Sequence, residues 1–306
     1  MFRIPSALPN STASIDELTD YIEWECIKSG VVSLSTALRP VLIPSDEIQI
    51  EGIEDESDLA INKADDIIQE MERRKTASKN RYPFSIENRG YTIKITGRTS
   101  EDYWIYVYLL LSTRLNMLSN KVWGGIDGTK ILEKLSSISA KEYFGERSKS
   151  FVFGTATPGN FQTKVDDLIT KIGEGHSFLN RDAAAIHAQD DKLDVVVWKD
   201  FSDGNKSKLV GFGQCKTGTS WDDKETIELQ PKIFCEKWFR DTLVVDPVKM
   251  FFTSQYFPLN LYPKSKNAGL VFDRSRIIDY LPRNIDADLL GEIRTWCSTA
   301  LGAMIR

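Results

Sequence analysis

The sequence predicts an α/β fold, α+β overall: a C-terminal mixed sheet flanked by helices, preceded by an N-terminal α+β domain. Three observations carry this. Two β-branched runs, 193–198 and 209–212, enclose the turn signal Ser202-Asp203-Gly204-Asn205, the pattern of a hairpin. Residues 161–172 place Phe161, Val165, Leu168, Ile169 and Ile172 at helical spacing. Residues 143–160 are rich in Gly, Ser, Thr and Lys and contain a Pro158-Gly159 turn signal, so the boundary is set there, giving domains 1–150 and 151–306.

Taken in order, Ser14-Ile15-Asp16-Glu17 has the form of a capping box and opens a helix to Lys28. Residues 31–43 are read as extended and broken by Pro40 and Pro44, and 45–58 as an acidic loop. Helical spacing returns over 59–74, ending in Arg73-Arg74-Lys75. Residues 82–96 alternate like a hairpin around Asn88-Arg89-Gly90, and 101–118 read as a buried helix. The Gly124–Lys130 stretch lacks phosphate-loop spacing and is read as a turn and cap for a helix over 130–135. Past the second hairpin strand, a helix is expected over 224–239. An amphipathic C-terminal helix over 285–305 is expected to pack across the second domain, or to form a dimer surface in a homo-oligomer.

Composition narrows the class. Of the 306 residues, 41% are hydrophobic and 27% charged, enough for a substantial core. The net charge of −5 argues against a protein that grips DNA by overall charge, so any affinity must come from a local patch or a partner. Cys26, Cys215, Cys235 and Cys297 are scattered and only two histidines occur, which disfavours both a disulfide framework and a zinc site. The start of the chain lacks a secretory signal pattern and the most apolar run, 103–111, is too short to span a bilayer, so a cytoplasmic protein without a membrane partner is expected.

The chemistry is expected at the mouth of the 193–216 hairpin. With the turn near Asn205, Asp194 lies roughly opposite Lys216, while Gln214 and Lys216 share a face and Cys215 takes the other. A carboxylate, an amide oxygen and an ammonium together suit a hard divalent cation and an attacking water, hence Mg²⁺-assisted phosphodiester hydrolysis. The alternative is an ordinary hairpin with its polar residues in water.

Asp194, some twenty residues of strand, turn and strand, then Gln214-Cys215-Lys216 resembles the PD-(D/E)xK nuclease superfamily in the Q-x-K variant of Mrr-like restriction endonucleases. Pro247 through Ser254 and Ala268 through Asp273 are similar to the next two strands of those domains, and 277–281 to the short helix that follows. The resemblance covers roughly 160–282. It implies a restriction-endonuclease-like sheet that cleaves DNA with Mg²⁺ or Mn²⁺ held by Asp194, Gln214 and the Cys215 carbonyl. Lys216 would position the water, and the setting implied is prokaryotic restriction or anti-phage defence. The chain departs from the common pattern in having neutral Gln214 at the acidic position. Relatives with that change carry a further acidic residue on the first core helix, which is taken as 161–172, with Asp166 as the residue. The rival implication is a catalytically inactive DNA-binding or scaffold subunit docked to a partner protein of a defence complex. RNA or modified DNA stays open as substrate.

Other candidates have two readings each. Arg73, Arg74 and Lys75 either contact phosphates or complement a helix end. Trp221 either stacks on a base or belongs to the core. His187 is either a general base or structural, the Asp190-Asp191 pair is either loop chemistry or a polar lead-in that resembles that of Mrr-like sites, and His176 and Asp182 are assigned no role.

Overall fold

The computed structural model describes residues 2–5, 8–42, 53–181, 190–219, 221, 223–257 and 266–305. The chain forms an α+β structure of two compact units, Met1–Ile126 with Leu290–Arg306, and Asp127–Leu289. The division therefore falls earlier than the composition break at 143–160. That polar segment is not a linker, because it supplies an edge strand and a loop to the second unit.

In the first unit, α1 (Ile15–Ser29) leads to β1 (Val31–Ser33) and α2 (Leu34–Leu42). The expected extended run is thus mostly helix. Leu34, Ala37, Leu38 and Val41 recur three and four residues apart and are all buried, and that stripe outweighs the helix-breaking tendency of Pro40. A long helix follows, α3 (Ile53–Ala77), then β2 (Phe84–Glu87) and β3 (Thr92–Ile95), joined by a turn of 3₁₀ helix. These strands make an antiparallel sheet in the order β1-β3-β2. Next, α4 (Glu101–Arg114) is capped by the Ser100 hydroxyl, which accepts from the Tyr103 N–H at 3.1 Å, and it is buried on every side from Ile105 to Arg114. Such a helix shows no amphipathic period, which is why its sequence reads equally well as strand. The short strands β4 (Val122–Trp123) and β5 (Ile126–Asp127) close the segment.

The second unit opens with α5 (Gly128–Phe144), capped by Asp127 and much longer than expected. Then come β6 (Ser148–Val152), α6 (Phe161–Ile172), β7 (Val195–Lys199), β8 (Leu209–Lys216), α7 (Asp223–Glu228), α8 (Pro231–Trp238), β9 (Val248–Thr253), β10 (Leu270–Phe272) and α9 (Arg274–Tyr280). The single helix anticipated over 224–239 is two, since Pro231 starts α8 and Leu229-Gln230 lie outside either. The five strands form one mixed sheet in the order β10-β9-β8-β7-β6. β6, β7 and β8 are antiparallel neighbours, and β9 and β10 continue in parallel.

Both faces of this sheet are covered. Val196, Trp198, Val210 and Phe212 pack with Val165, Leu168, Phe234 and Trp238 of α6 and α8, while α5 lies against β6 and β7. Gly211 allows the close approach of α5, because a Cβ there would sit 2.9 Å from the Phe144 ring. The last helix, α10 (Ala287–Met304), belongs from Leu290 onward to the first unit, not the second. Its stripe Ile293, Trp296, Cys297 and Ala300 is fully buried, Trp296 meets Tyr108 edge to face at 5.4 Å, and its Nε1 donates to the Lys121 carbonyl at 2.9 Å. Among the described residues, no helix is long and apolar enough to cross a membrane.

A buried carboxylate pair as the candidate functional site

The hairpin register runs Val195↔Gly213, so Asp194 falls across from Gln214 instead of Lys216, with the turn one residue earlier than expected. The consequence for the cluster is small. The Asp194 N–H donates to the Gly213 carbonyl at 2.9 Å, and its Oδ2 accepts from the Cys215 N–H at 2.7 Å. One short bond therefore ties the carboxylate to the backbone between Gln214 and Lys216.

Its second neighbour is one that sequence reasoning missed. Glu133 of α5 is buried, its Oε1 accepts from the Thr155 N–H and hydroxyl at 3.1 and 2.8 Å, and its Oε2 accepts from the Ala156 N–H at 2.8 Å. The Phe153 and Gly154 N–H groups donate to the Asp194 carbonyl at 2.7 and 3.0 Å. The loop after β6 thus holds both acids at once, and Lys164 secures it by donating to the Phe153 and Gly154 carbonyls at 2.9 and 3.0 Å. Gly154 is required by this arrangement. A Cβ there would lie 2.8 Å from Asp194 Oδ1 and 2.8 Å from Glu133 Oε2, so the two oxygens are no more than twice that distance apart.

Among the described residues neither acid joins an ion pair, and both feel burial first. Burial, then the Glu133 charge and that of Asp190, pushes the Asp194 carboxyl well above the usual range, against the Cys215 N–H and the Lys216 ammonium. Burial also raises Glu133, against the Thr155 and Ala156 donors. Two carboxylates sharing one dry site is the arrangement that a cation relieves.

The returning strand brings the other predicted groups. Gln214 is buried; its Nε2 donates to Glu228 Oε2 of α7 at 2.8 Å, and its Oε1 meets no hydrogen-bond partner among the described residues. Lys216 extends to the same helix, with Nζ 3.3 Å from Glu228 Oε2 and 3.5 Å from Glu225 Oε2. Cys215 presents its thiol to the other face, where burial and the Asp194 charge push it up. Two carboxylates, an unpartnered amide oxygen and a backbone carbonyl are the kinds of donor that a hard cation takes. No cluster of three or more His, Cys, Asp or Glu side chains suited to a metal occurs among the described residues, so the amide and carbonyl would have to complete the shell.

Other expectations are corrected. Asp166 is not at this site, because its Oδ1 accepts from the Phe178 N–H at 2.7 Å and anchors the chain that leaves α6. The first helix against the sheet is α5, and the acid it supplies is Glu133. The sequence carries a signal for it: a glutamate beside the apolar stripe Ile131, Leu132 and Leu135, on the helix that precedes the first strand of the second unit. Trp221 is 6% exposed and packs on Phe251 and Phe257, so it is core. Arg74 is wholly buried in ion pairs with Asp20, Glu23 and Glu70; Arg73 forks onto Glu70, and Lys75 lies 3.7 Å from Glu72. Each of these three cations thus faces a carboxylate of α1 or α3, and Arg74 has no exposed surface to offer a phosphate. Asp191 accepts from Trp238 Nε1 at 2.7 Å, a structural role, whereas Asp190 adds charge near the pair. His176 is exposed against the Ser177 hydroxyl. His187 and Asp182 lie outside the described residues.

Neither a family model, nor a characterised protein, nor a solved structure matches this chain.

Proposed function

We propose that the second unit is a metal-dependent endonuclease that hydrolyses DNA phosphodiester bonds, in the manner of the PD-(D/E)xK superfamily and in a prokaryotic restriction or anti-phage setting. The observation that carries the reading is the close approach of Asp194, partly buried at a strand end, and Glu133, buried on a helix, with Asp194 tied to the backbone between Gln214 and Lys216. The order of elements supports it as well: the hairpin β7-β8, then the strands β9 and β10 and the short helix α9, follow the succession that the resemblance implies.

In this reading Asp194, Glu133, the Gln214 amide oxygen and the Cys215 carbonyl hold Mg²⁺ or Mn²⁺. Such an ion, when bound, polarises the scissile phosphate and lowers the pKa of a water. The chain's own groups do the rest. Lys216 orients the attacking water and offsets charge growing on the phosphate, once it leaves Glu225 and Glu228. The loop 153–156 keeps the two carboxylates at fixed separation, and the burial that raises their pKa values excludes competing water.

The test is nicking of supercoiled plasmid in Mg²⁺ or Mn²⁺. Wild type should cleave, while Asp194→Ala, Glu133→Gln and Lys216→Ala should each lose about a hundredfold or more in rate. Equal cleavage by all four would overturn the assignment. The pairing of Lys216 with two glutamates favours one rival, a DNA-binding or scaffold subunit without chemistry. That rival predicts plasmid binding unchanged by Asp194→Ala and no cleavage by any form.

A further inference from the structure

Q-x-K sites lack a negative charge where most of the superfamily has one, and an amide is also ambiguous, since either end can face a cation. From the contacts of Gln214 we infer that Glu228 resolves both problems: it is a positioning residue that turns the Gln214 amide oxygen toward the metal site and supplies, one residue removed, the charge the strand lacks. This rests on the metal-dependent reading above.

Glu228 ends α7, outside the strand that carries the motif. Its Oε2 takes the Gln214 Nε2 hydrogen at 2.8 Å. A carboxylate accepts only, so it can face the NH₂ end of the amide and not the oxygen. The oxygen must then turn away, and there it is buried with no partner among the described residues. An unpartnered buried amide oxygen is destabilising, and a bound cation would remove that cost. Two ammonium groups face this carboxylate: Lys216 lies 3.3 Å from its Oε2 and Lys192 3.6 Å from its Oε1. Metal ligands are commonly oriented by such outer partners, and loss of one typically weakens metal binding about 10- to 100-fold.

The inference distinguishes Glu228 from Glu225. Both approach Lys216, but among the described residues only Glu228 bonds Gln214. Glu228→Gln should therefore weaken the site by letting the Gln214 amide turn over, while Glu225→Gln should not.

Mn²⁺ binding to the full-length protein, followed by the electron paramagnetic resonance of the free ion, tests this without any need for cleavage. Wild type should bind Mn²⁺, and Asp194→Asn should abolish that binding. Glu228→Gln should bind about tenfold more weakly and Glu225→Gln within about twofold of wild type. The exchange variant Gln214→Glu with Glu228→Gln should recover wild-type affinity, because a carboxylate at 214 presents oxygen at both ends. Affinity unchanged in Glu228→Gln, or no recovery in the exchange variant, would overturn the role of Glu228 and leave the metal site standing. A wild type that binds no Mn²⁺, or that binds it as Asp194→Asn does, would overturn the metal reading itself. Thermal melts of each variant identify any loss of affinity that comes from misfolding.

Discussion

Each unit of this protein buries a pair of carboxylates, and the two pairs are treated in opposite ways. In the first unit Asp20 and Glu23 on α1 face Arg74 and Arg114: Arg74 Nη1 lies 2.7 Å from Asp20 and 2.8 Å from Glu23, and Arg114 Nε lies 2.6 Å from Asp20. The Tyr82 and Tyr106 hydroxyls also donate to Glu23, at 2.5 and 2.9 Å. In the second unit Glu133 is buried and Asp194 partly so, and among the described residues their carboxylates accept hydrogen bonds only from backbone N–H groups and a threonine hydroxyl. A pair that the chain neutralises with its own guanidinium groups holds a fold together. A pair that meets no guanidinium is pushed toward its protonated form, which a proton or an outside cation can relieve.

The most severe way to break this contrast is to remove the cation from the first pair. Arg74→Ala would remove the guanidinium that Asp20, Glu23 and Glu70 share, leaving Arg114 on Asp20 and Arg73 on Glu70, and breaking a buried ion pair of this kind costs about 3–5 kcal/mol. Urea denaturation should show that loss. A change below about 1 kcal/mol would mean that the network is not structural.

Adding a cation to the second pair should do the reverse. Mn²⁺ at a hundredfold excess over its dissociation constant should stabilise the wild type by about 2.7 kcal/mol. Glu133→Gln should show little of this gain, and if it shows all of it, the ion binds elsewhere.

A smaller effect sharpens the contrast in the absence of metal. Asp194 and Glu133 titrate above their unfolded values, so the protonated forms favour the fold. Their stabilising contribution is complete below the unfolded carboxylate pKa of about 4 and is lost as pH rises through the higher folded values. Metal-free protein should thus lose stability as pH climbs out of the ordinary carboxylate range. Asp194→Asn should flatten that slope and raise the neutral-pH melting temperature by about 2–4 °C, the shift about 1 kcal/mol makes in a domain of this size. A variant with the wild-type slope would show that Asp194 is ionised at no cost.

The smallest expected effect is none at all. Arg73→Glu with Lys75→Glu alters side chains already matched by Glu70 and Glu72, so DNA affinity and its salt dependence should stay as in wild type, as gel shifts across a salt series would show.

Much of the architecture was legible in the sequence because it rests on local pattern. The apolar period of 161–172 is α6 to the residue, and the β-branched runs around Asp203-Gly204 are β7 and β8. Where local signals conflict, packing decided. Pro40 suggested a break, yet the buried stripe on α2 prevails; Pro231 passed unnoticed inside a helical pattern and divides it. The site was half legible. Asp194, Gln214 and Lys216 sit on one hairpin, whose register the alternation of side chains nearly specifies.

Glu133 and Glu228 were not legible, since neither is close to the hairpin in the chain and each looks like any helical glutamate. A single sequence does record which residues are acidic and which segments are periodic. It does not record which acids lose their water. That depends on what else packs over them, and here the loop 153–156 encloses Asp194 and Glu133 while Arg74 and Arg114 enclose Asp20 and Glu23. The local chain therefore determined the helices, the strands and the hairpin acid, because these follow from backbone periods of 3.6 and 2. Only the tertiary structure decided which carboxylates are matched by guanidinium groups and which are not, because charge compensation is a contact between segments distant in sequence.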